Sequence, residues 1–377
     1  MAMEDRVKAV IAEFDAQGWH RTATDTDRLS GEWFARELTA AGALAGIESY
    51  PFRRLVPAES FVEFGGRRIP GLPLFDSTPT SDQGVHGPLG DHDGEIRLLP
   101  ALPGPHSHEI DAARRSSVLG IVMPTTTVRP GLAPRNANEF RGPFGRPVLQ
   151  VSGAELPNLQ AEAAKNGSVR LVSTFTFEET LASNVTGVVV GTDPTAAPVC
   201  VMTPRSGWWN CASERGGGIA CLLEIARAVA AKPPRRTVIF VGTTGHELGH
   251  WGLEEFLLRR PGLERSARLW IHFGASVGAA LEPRAAIFAS RPEFRVEALS
   301  HLKDAGAALP TPAAEGTVAG GESRNIHSAG GDYVSLAGGS AVFHLEEDRW
   351  PGAVDVKQVA AIASGMIAFT LRVANSD

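Results

Sequence analysis

Cysteine is scarce in this chain of 377 residues, with only Cys200, Cys211 and Cys221 present. Three thiols cannot build a disulfide framework, so the small stapled secreted scaffolds are excluded and a reducing compartment is favoured. Basic excess is missing as well. The 36 Lys and Arg residues against 42 Asp and Glu leave a formal charge of −6, which gives no electrostatic footprint for nucleic acid or an anionic membrane. No apolar run approaches membrane-spanning length, and the start, Met1 to Arg6, carries no secretory apolar stretch. The sequons at Asn166 and Asn184 therefore read as chance matches. Together these absences predict a cytoplasmic protein without a membrane partner. What is present is ordinary for a globular chain, at 43% hydrophobic and 21% charged residues. The length exceeds what one ordinary core accommodates, so two domains are expected.

Val7, Val10, Ile11 and Phe14 fall at helical spacing. A second helix is expected after Ser30, with Trp33, Phe34 and Leu38 on its buried face and Gly42 as its stop. From residue 51 to 180 the chain turns Pro- and Gly-rich, with short strands at 95–99 and 118–122 and one helix near 155–165. This segment reads as an inserted β-rich domain. Residues 1–50 and 181–377 read as one α/β domain. In it, strands at 185–190, 199–202, 237–241, 269–273, 286–289 and 341–345 alternate with helices at 218–231, 254–259, 293–305 and 354–374. That alternation predicts a three-layer sandwich around a mostly parallel sheet. Ligands bind outside the carboxyl ends of such strands, so loops 203–217, 243–250, 274–278 and 344–350 should converge.

The second of these loops carries His246-Glu247-Leu248-Gly249-His250. As H-E-x-x-H it matches a zinc-protease helix, which needs both histidines on one face of a continuous helix and a further ligand downstream. Its context disagrees. The motif lies just past a strand, Gly245, Gly249 and Gly252 weaken any helix there, and Leu269 stands where a distal glutamate is expected. His250 then reads as a helix-start residue beside Trp251.

The stretch from Asn184 to Phe256 resembles the dinuclear zinc aminopeptidases, the metallopeptidase family that also contains glutaminyl cyclases. Asn184 to Gly191 is similar to the family's opening strand, and Gly218 to Ala228 to the helix after its bridging aspartate. Arg236 to Val241 followed by His246-Glu247-Leu248-Gly249 is similar to the strand with its Glu-Glu pair. Phe343-His344 through Asp348 is similar to the closing histidine motif. Residues 85–175 resemble, more weakly, the protease-associated domain inserted in such enzymes. The resemblance implies ligand roles for Glu214, Glu247 and His344. It places the other site's ligands on Pro204 and near Gly274, which have no ligating side chain, and the general base on His246. One zinc ion is therefore implied where the family has two.

Around this set, Arg205 and Arg215 offer positive charge in place of the second ion, and His272 and His250 are alternative ligands. Trp208 and Trp209 are candidate walls for an apolar substrate. Asp332 and Tyr333 sit in the Gly-rich stretch that the resemblance assigns to the substrate pocket, Tyr333 as an oxyanion donor. Glu322 and Arg324 in the same stretch read as a solvated loop, and Cys211 as a small buried residue. The expected function is hydrolysis of an amide bond in a small-molecule or peptide-like substrate. A cyclase, lyase or acyl-transfer enzyme and a metal-free binding protein remain alternatives on the same fold.

Overall fold

The computed structural model of the chain describes residues 1–102 and 108–376. Helix α1 (Met3–Ala16) buries Val7, Ile11 and Phe14. Helix α2 (Asp25–Ala40) starts six residues earlier in the chain than Ser30 suggests, because the Thr24 hydroxyl caps it by accepting from Asp27 N. Asp25 and Asp27 in its first turn complement the helix dipole, and Ser30 is buried within it. Gly42, at φ 96°, ends the helix as expected.

Two long strands, β1 (Leu44–Phe64) and β7 (Ser168–Val189), run antiparallel from Leu44↔Val188 to Glu63↔Arg170. Between them lie β2 (Arg67–Pro73), β3 (Val85–Gly90), β4 (Ile96–Leu98), α3 (His108–Arg115), β5 (Gly120–Thr125), β6 (Val148–Ser152) and α4 (Leu156–Ala163). The pairing order β1-β2-β6-β5-β4-β3-β7, with β7 returning to β1, closes a ring of strands. Val62, Ile96, Leu149 and Leu171 fill it. Closure leaves this part of the sheet without free edges.

Past β7 follow β8 (Val199–Pro204), α5 (Gly217–Ala231), β9 (Val238–Thr243), α6 (Trp251–Leu258), α7 (Leu263–Ser266), β10 (Leu269–Phe273), β11 (Ala286–Ala289), α8 (Pro292–Asp304), β12 (Thr311–Pro312), α9 (Ser323–Ser328), β13 (Tyr333–Ala337) and α10 (Val356–Asn375). The sheet continues β7-β9-β8-β10-β13-β11-β12, with β8, β9, β10 and β13 parallel. In β8, Val199 and Val201 join the core on the face of α1, α5 and α10, while Cys200 and Met202 join Leu253, Phe256 and Ile326 on the other face. Both faces are covered, hence the apolar runs without alternation. Helix α10 is long and apolar enough by composition to cross a membrane, but half of its apolar window is buried, and it packs on α5 and α8.

One strand is placed differently from expectation. Residues 341–345 form turns, pinned by Val342 N donating to Ser340 Oγ and Leu345 N to Val342 O. The ladder position beside β10 belongs to β13, through Trp270↔Tyr333. Asp332 and Tyr333 thus lie at the amino end of a parallel strand, away from the carboxyl ends at Pro204, Thr243 and Phe273.

His20, between α1 and α2, is fully buried. Its ring stacks on Phe14 at 3.7 Å between centroids, and Nε2 lies 2.9 Å from Phe14 O. Burial lowers its pKa to about 3. The unfolded imidazole titrates near ~6.5, so the folded pKa is depressed and the unfolded chain binds the extra proton below that pH. Stability is therefore full above about pH 6.5 and declines towards pH 3 by up to ~1.4 kcal/mol per pH unit. Denaturant titrations of the wild type and His20→Phe between pH 7 and 4.5 should show a flatter pH dependence in the variant. Equal slopes would assign the acid sensitivity elsewhere.

Candidate active site

Strand β9 ends at Thr243, and the next residues take three left-handed positions, Gly245 (φ 78°), Gly249 (φ 79°) and His250 (φ 60°). Only His246–Leu248 forms a single 3-10 turn, so no continuous helix carries the two histidines. They meet nonetheless, with ring centroids 5.2 Å apart. Glu322, just before α9, reaches the same point. His246, His250 and Glu322 each offer a donor atom, all within 4.8 Å of one another. His246 Nδ1 is 2.9 Å and His272 Nε2 3.4 Å from Glu322 Oε2. Gly321, at φ 62°, permits this approach, since a Cβ there would lie 3.3 Å from His246 Cε1 and 3.4 Å from His272 Cε1.

Each of these groups is oriented from behind. Thr243 Oγ1 donates to Glu322 Oε1 at 3.1 Å. His272 Nδ1 lies 2.9 Å from both Ser335 Oγ and Ser323 Oγ, and His250 Nδ1 lies 2.9 Å from Asn325 Oδ1. Such outer partners fix ring tautomers in metal sites. His272 Nε2 is buried without a hydrogen-bond partner. Glu322 is 1% exposed. Burial alone would raise its carboxyl, but His246, then His272 and His250, hold it well below the usual range. His246 is pushed down to about 4 by burial, against the pull of Glu322, so its ring is neutral near pH 7.

A second cluster adjoins the first. Glu214 and Arg215 sit in a π-helical turn ahead of α5, and His344, at φ 62°, comes from the closing loop. Arg215 Nη2 lies 2.7 Å and His344 Nε2 3.5 Å from Glu214 Oε1. The charge contact to Arg215 is close but not aligned as a hydrogen bond, and Glu214 Oε1, Arg215 Nη1 and His344 Nε2 are all buried without partners. His344 Nδ1 lies 2.6 Å from Pro134 O. It must donate there, which leaves Nε2 as an acceptor facing a carboxylate. Burial would raise Glu214, yet Arg215, His344 and His246 lower it.

Other expected site residues take other places. Glu247 is buried with both oxygens engaged, Oε1 by Thr22 N and Oγ1 and Oε2 by Ser206 Oγ, and it stands outside the donor group. Arg205 is 1% exposed and bound to Asp27 at 2.6 Å, with further bonds to Asp27 O and Ser183 O. Asp332 pairs with Arg291 and Ser290. The Tyr333 hydroxyl accepts from Ala319 N at 3.3 Å, within the α6–α9 core face. Trp209 Nε1 donates to His344 O. Trp208 walls a cavity of about 270 Å³ together with Phe52, Phe75, Arg21 and Glu247. Burial raises the Cys211 thiol well above its ordinary value, so it remains protonated. Glu322, expected in a solvated loop, is instead central.

The segment 131–141 packs on the second cluster and on the turn that carries His246. Pro134 O meets His344, Asn136 Oδ1 accepts from Trp208 Nε1, and Ala137 N donates to Glu247 O. Phe140 stacks on Phe52, and Arg141 lies over Trp251.

This sandwich, with its site at the carboxyl ends of the parallel strands, is the fold of the zinc aminopeptidases. A zinc aminopeptidase from Bacillus subtilis superposes with a TM-score of 0.77 over 99% of this chain and 95% of its own, at 15% identity. A peptidase M28 precursor from Shewanella amazonensis gives 0.77 over 100% and 96%, at 15% identity. An aminopeptidase from Aneurinibacillus gives 0.73 over 99% and 94%, at 12% identity. No family model matches the sequence, and no curated protein matches it.

The residues do not fit one ion held by Glu214, Glu247 and His344, as the sequence resemblance implies, nor a second ion beside it. Pro204 and Gly274 have no donor atoms, Glu247 is engaged elsewhere, and the Arg215 guanidinium lies against Glu214. They do fit one ion among His246, His250 and Glu322, and the orphaned His272 Nε2 stands beside this group, 3.4 Å from Glu322 Oε2.

Proposed function

We propose that this chain is a metal-dependent hydrolase of an amide or peptide-like bond that works with one zinc-class ion. The fold supports the reaction class. The single observation that carries the metal is Glu322, a carboxylate 1% exposed with imidazoles and a threonine as its partners. A buried carboxylate held by imidazoles calls for a cation, and two imidazole nitrogens with one carboxylate oxygen suit zinc with an open position.

Glu322, His246 and His250 hold the ion in this reading, which moves His246 from proton carrier to ligand. Once bound, the ion polarises a carbonyl and acidifies water. Glu214 and the free Nε2 of His344 take up the proton, because both are acceptors facing the same space. Arg215 Nη1 supplies positive charge beside them, in the role a second ion would have. The segment 51–180 serves as an inserted unit, and its loop 131–141 excludes water from the site. The structural neighbours are aminopeptidases, which supports a peptide-like substrate, with Trp208 walling the small cavity next to the site.

The test is elemental analysis of protein made in zinc-supplemented medium, with an amide panel assayed before and after chelation. About one ion per chain, and activity lost with the ion and restored by zinc, are expected. Failure to bind zinc in stoichiometric amount on direct titration would overturn the reading.

A further inference from the structure

A cavity of about 950 Å³ lies on the far side of the loop that follows β10. This volume falls in the range of small-molecule sites. Its lining is apolar, with Pro310, Leu336 and Ile362 buried and Leu309 at the exposed rim. One end is different. Ser276, at φ 62°, is 3% exposed, and its Oγ has no hydrogen-bond partner. A non-glycine residue held left-handed with an unmet buried hydroxyl marks a place where something else completes the site.

Two cations flank that end. Asp355 N donates to Gly278 O at 2.9 Å, which brings the first turn of α10, with Lys357, against the loop. Gly338 N donates to Ala275 O and Arg284 N to Gly339 O, each at 2.9 Å, which brings Arg284 from the opposite side. Both cations line the cavity. Arg284 reaches only Ser340 O at 3.0 Å, and neither forms an ion pair among the described residues. Asp355 lines the cavity too, but its carboxylate caps α10 by accepting from Gln358 N. Two cations and one carboxylate leave one positive charge, and the amino end of a 20-residue helix adds to it.

From this we infer a binding site for a medium-chain aliphatic monocarboxylate. Its head group lies at Ser276 between Arg284 and Lys357, and its chain runs towards Leu309 and Ile362. The site is separate from the active site. Ser276 N donates to Glu214 O, and Val277 O packs on Gly217, so one layer of backbone lies between them.

Calorimetry on the full chain with octanoate and its neutral isostere octanamide tests this. Octanoate should bind one per chain, at least about tenfold tighter than octanamide. The exposed double substitution Arg284→Glu with Lys357→Glu should weaken octanoate about tenfold or more at unchanged melting temperature. Leu309→Trp should weaken longer chains more than shorter ones. Glu322→Gln should leave octanoate binding intact, which separates this site from the metal reading. Equal affinity for acid and amide, indifference to the charge reversal, or no binding at all would each overturn the proposal.

Discussion

Replacing Glu322 by glutamine is expected to abolish stoichiometric metal binding and, with it, turnover. The loss should exceed the roughly 10–100-fold that outer-sphere partners cost, because a charged ligand is removed. Thr243→Val, which deletes only the hydroxyl behind Glu322 at 3.1 Å, should fall within that smaller range. The metal-free proteins should rank the other way. Wild-type Glu322 is then a buried anion without a lysine or arginine partner among the described residues, and glutamine relieves its desolvation. Chelated Glu322→Gln should melt no lower than chelated wild type, while zinc should stabilise the wild type alone. Zinc titrations followed by thermal melts read both effects. A variant that still binds one ion per chain would move the site to the Glu214–His344 side and return His246 to proton transfer.

Nothing in the sequence around Glu322 signals burial. It follows Gly320 and Gly321 in a stretch without periodicity, and such stretches are normally solvated. What buries it is Gly321, whose missing Cβ lets the loop descend onto His246 and His272. The sheet, by contrast, was legible. Strands β8, β9 and β10 are continuous apolar runs, α5 has a clear buried face, and together they place the loops of the site correctly. The place of His272 was also legible, since it shares a strand face with Gly274 and fills the space there, its Cε1 3.1 Å from where a Cβ would be. Glu247 was not. Spacing aligns it with a ligand position, but the left-handed residues on either side turn its carboxylate to Thr22, 225 residues away in sequence. Tyr333 was misplaced for a different reason. The run 341–345 looks as strand-like as 333–337, and only the competition for the ladder beside β10 decides between them.

Arg205 offers the sharpest contrast between sequence position and physical role. It follows Pro204 at the end of β8, where a charge would reach an active site. Its guanidinium instead turns to Asp27 on α2, at 2.6 Å, and the same carboxylate accepts from Ala23 N and Thr244 Oγ1. Both partners are buried. Burial raises the Asp27 carboxyl, and Arg205 is the largest influence opposing that. The pair therefore ties α2 to β8 and to the turn before His246. Arg205→Met should cost about 3–5 kcal/mol, because it strands Asp27 as an uncompensated buried charge. Asp27→Asn combined with Arg205→Met should cost clearly less than the two single changes added together, since each single change leaves the other charge unpaired. Denaturant midpoints of the three variants measure this directly. The folded fraction of each should still carry its metal ion, because Arg205 has no contact with Glu322 or the histidines around it. An Arg205→Met protein of wild-type stability that had lost turnover would place the guanidinium among the groups that touch substrate.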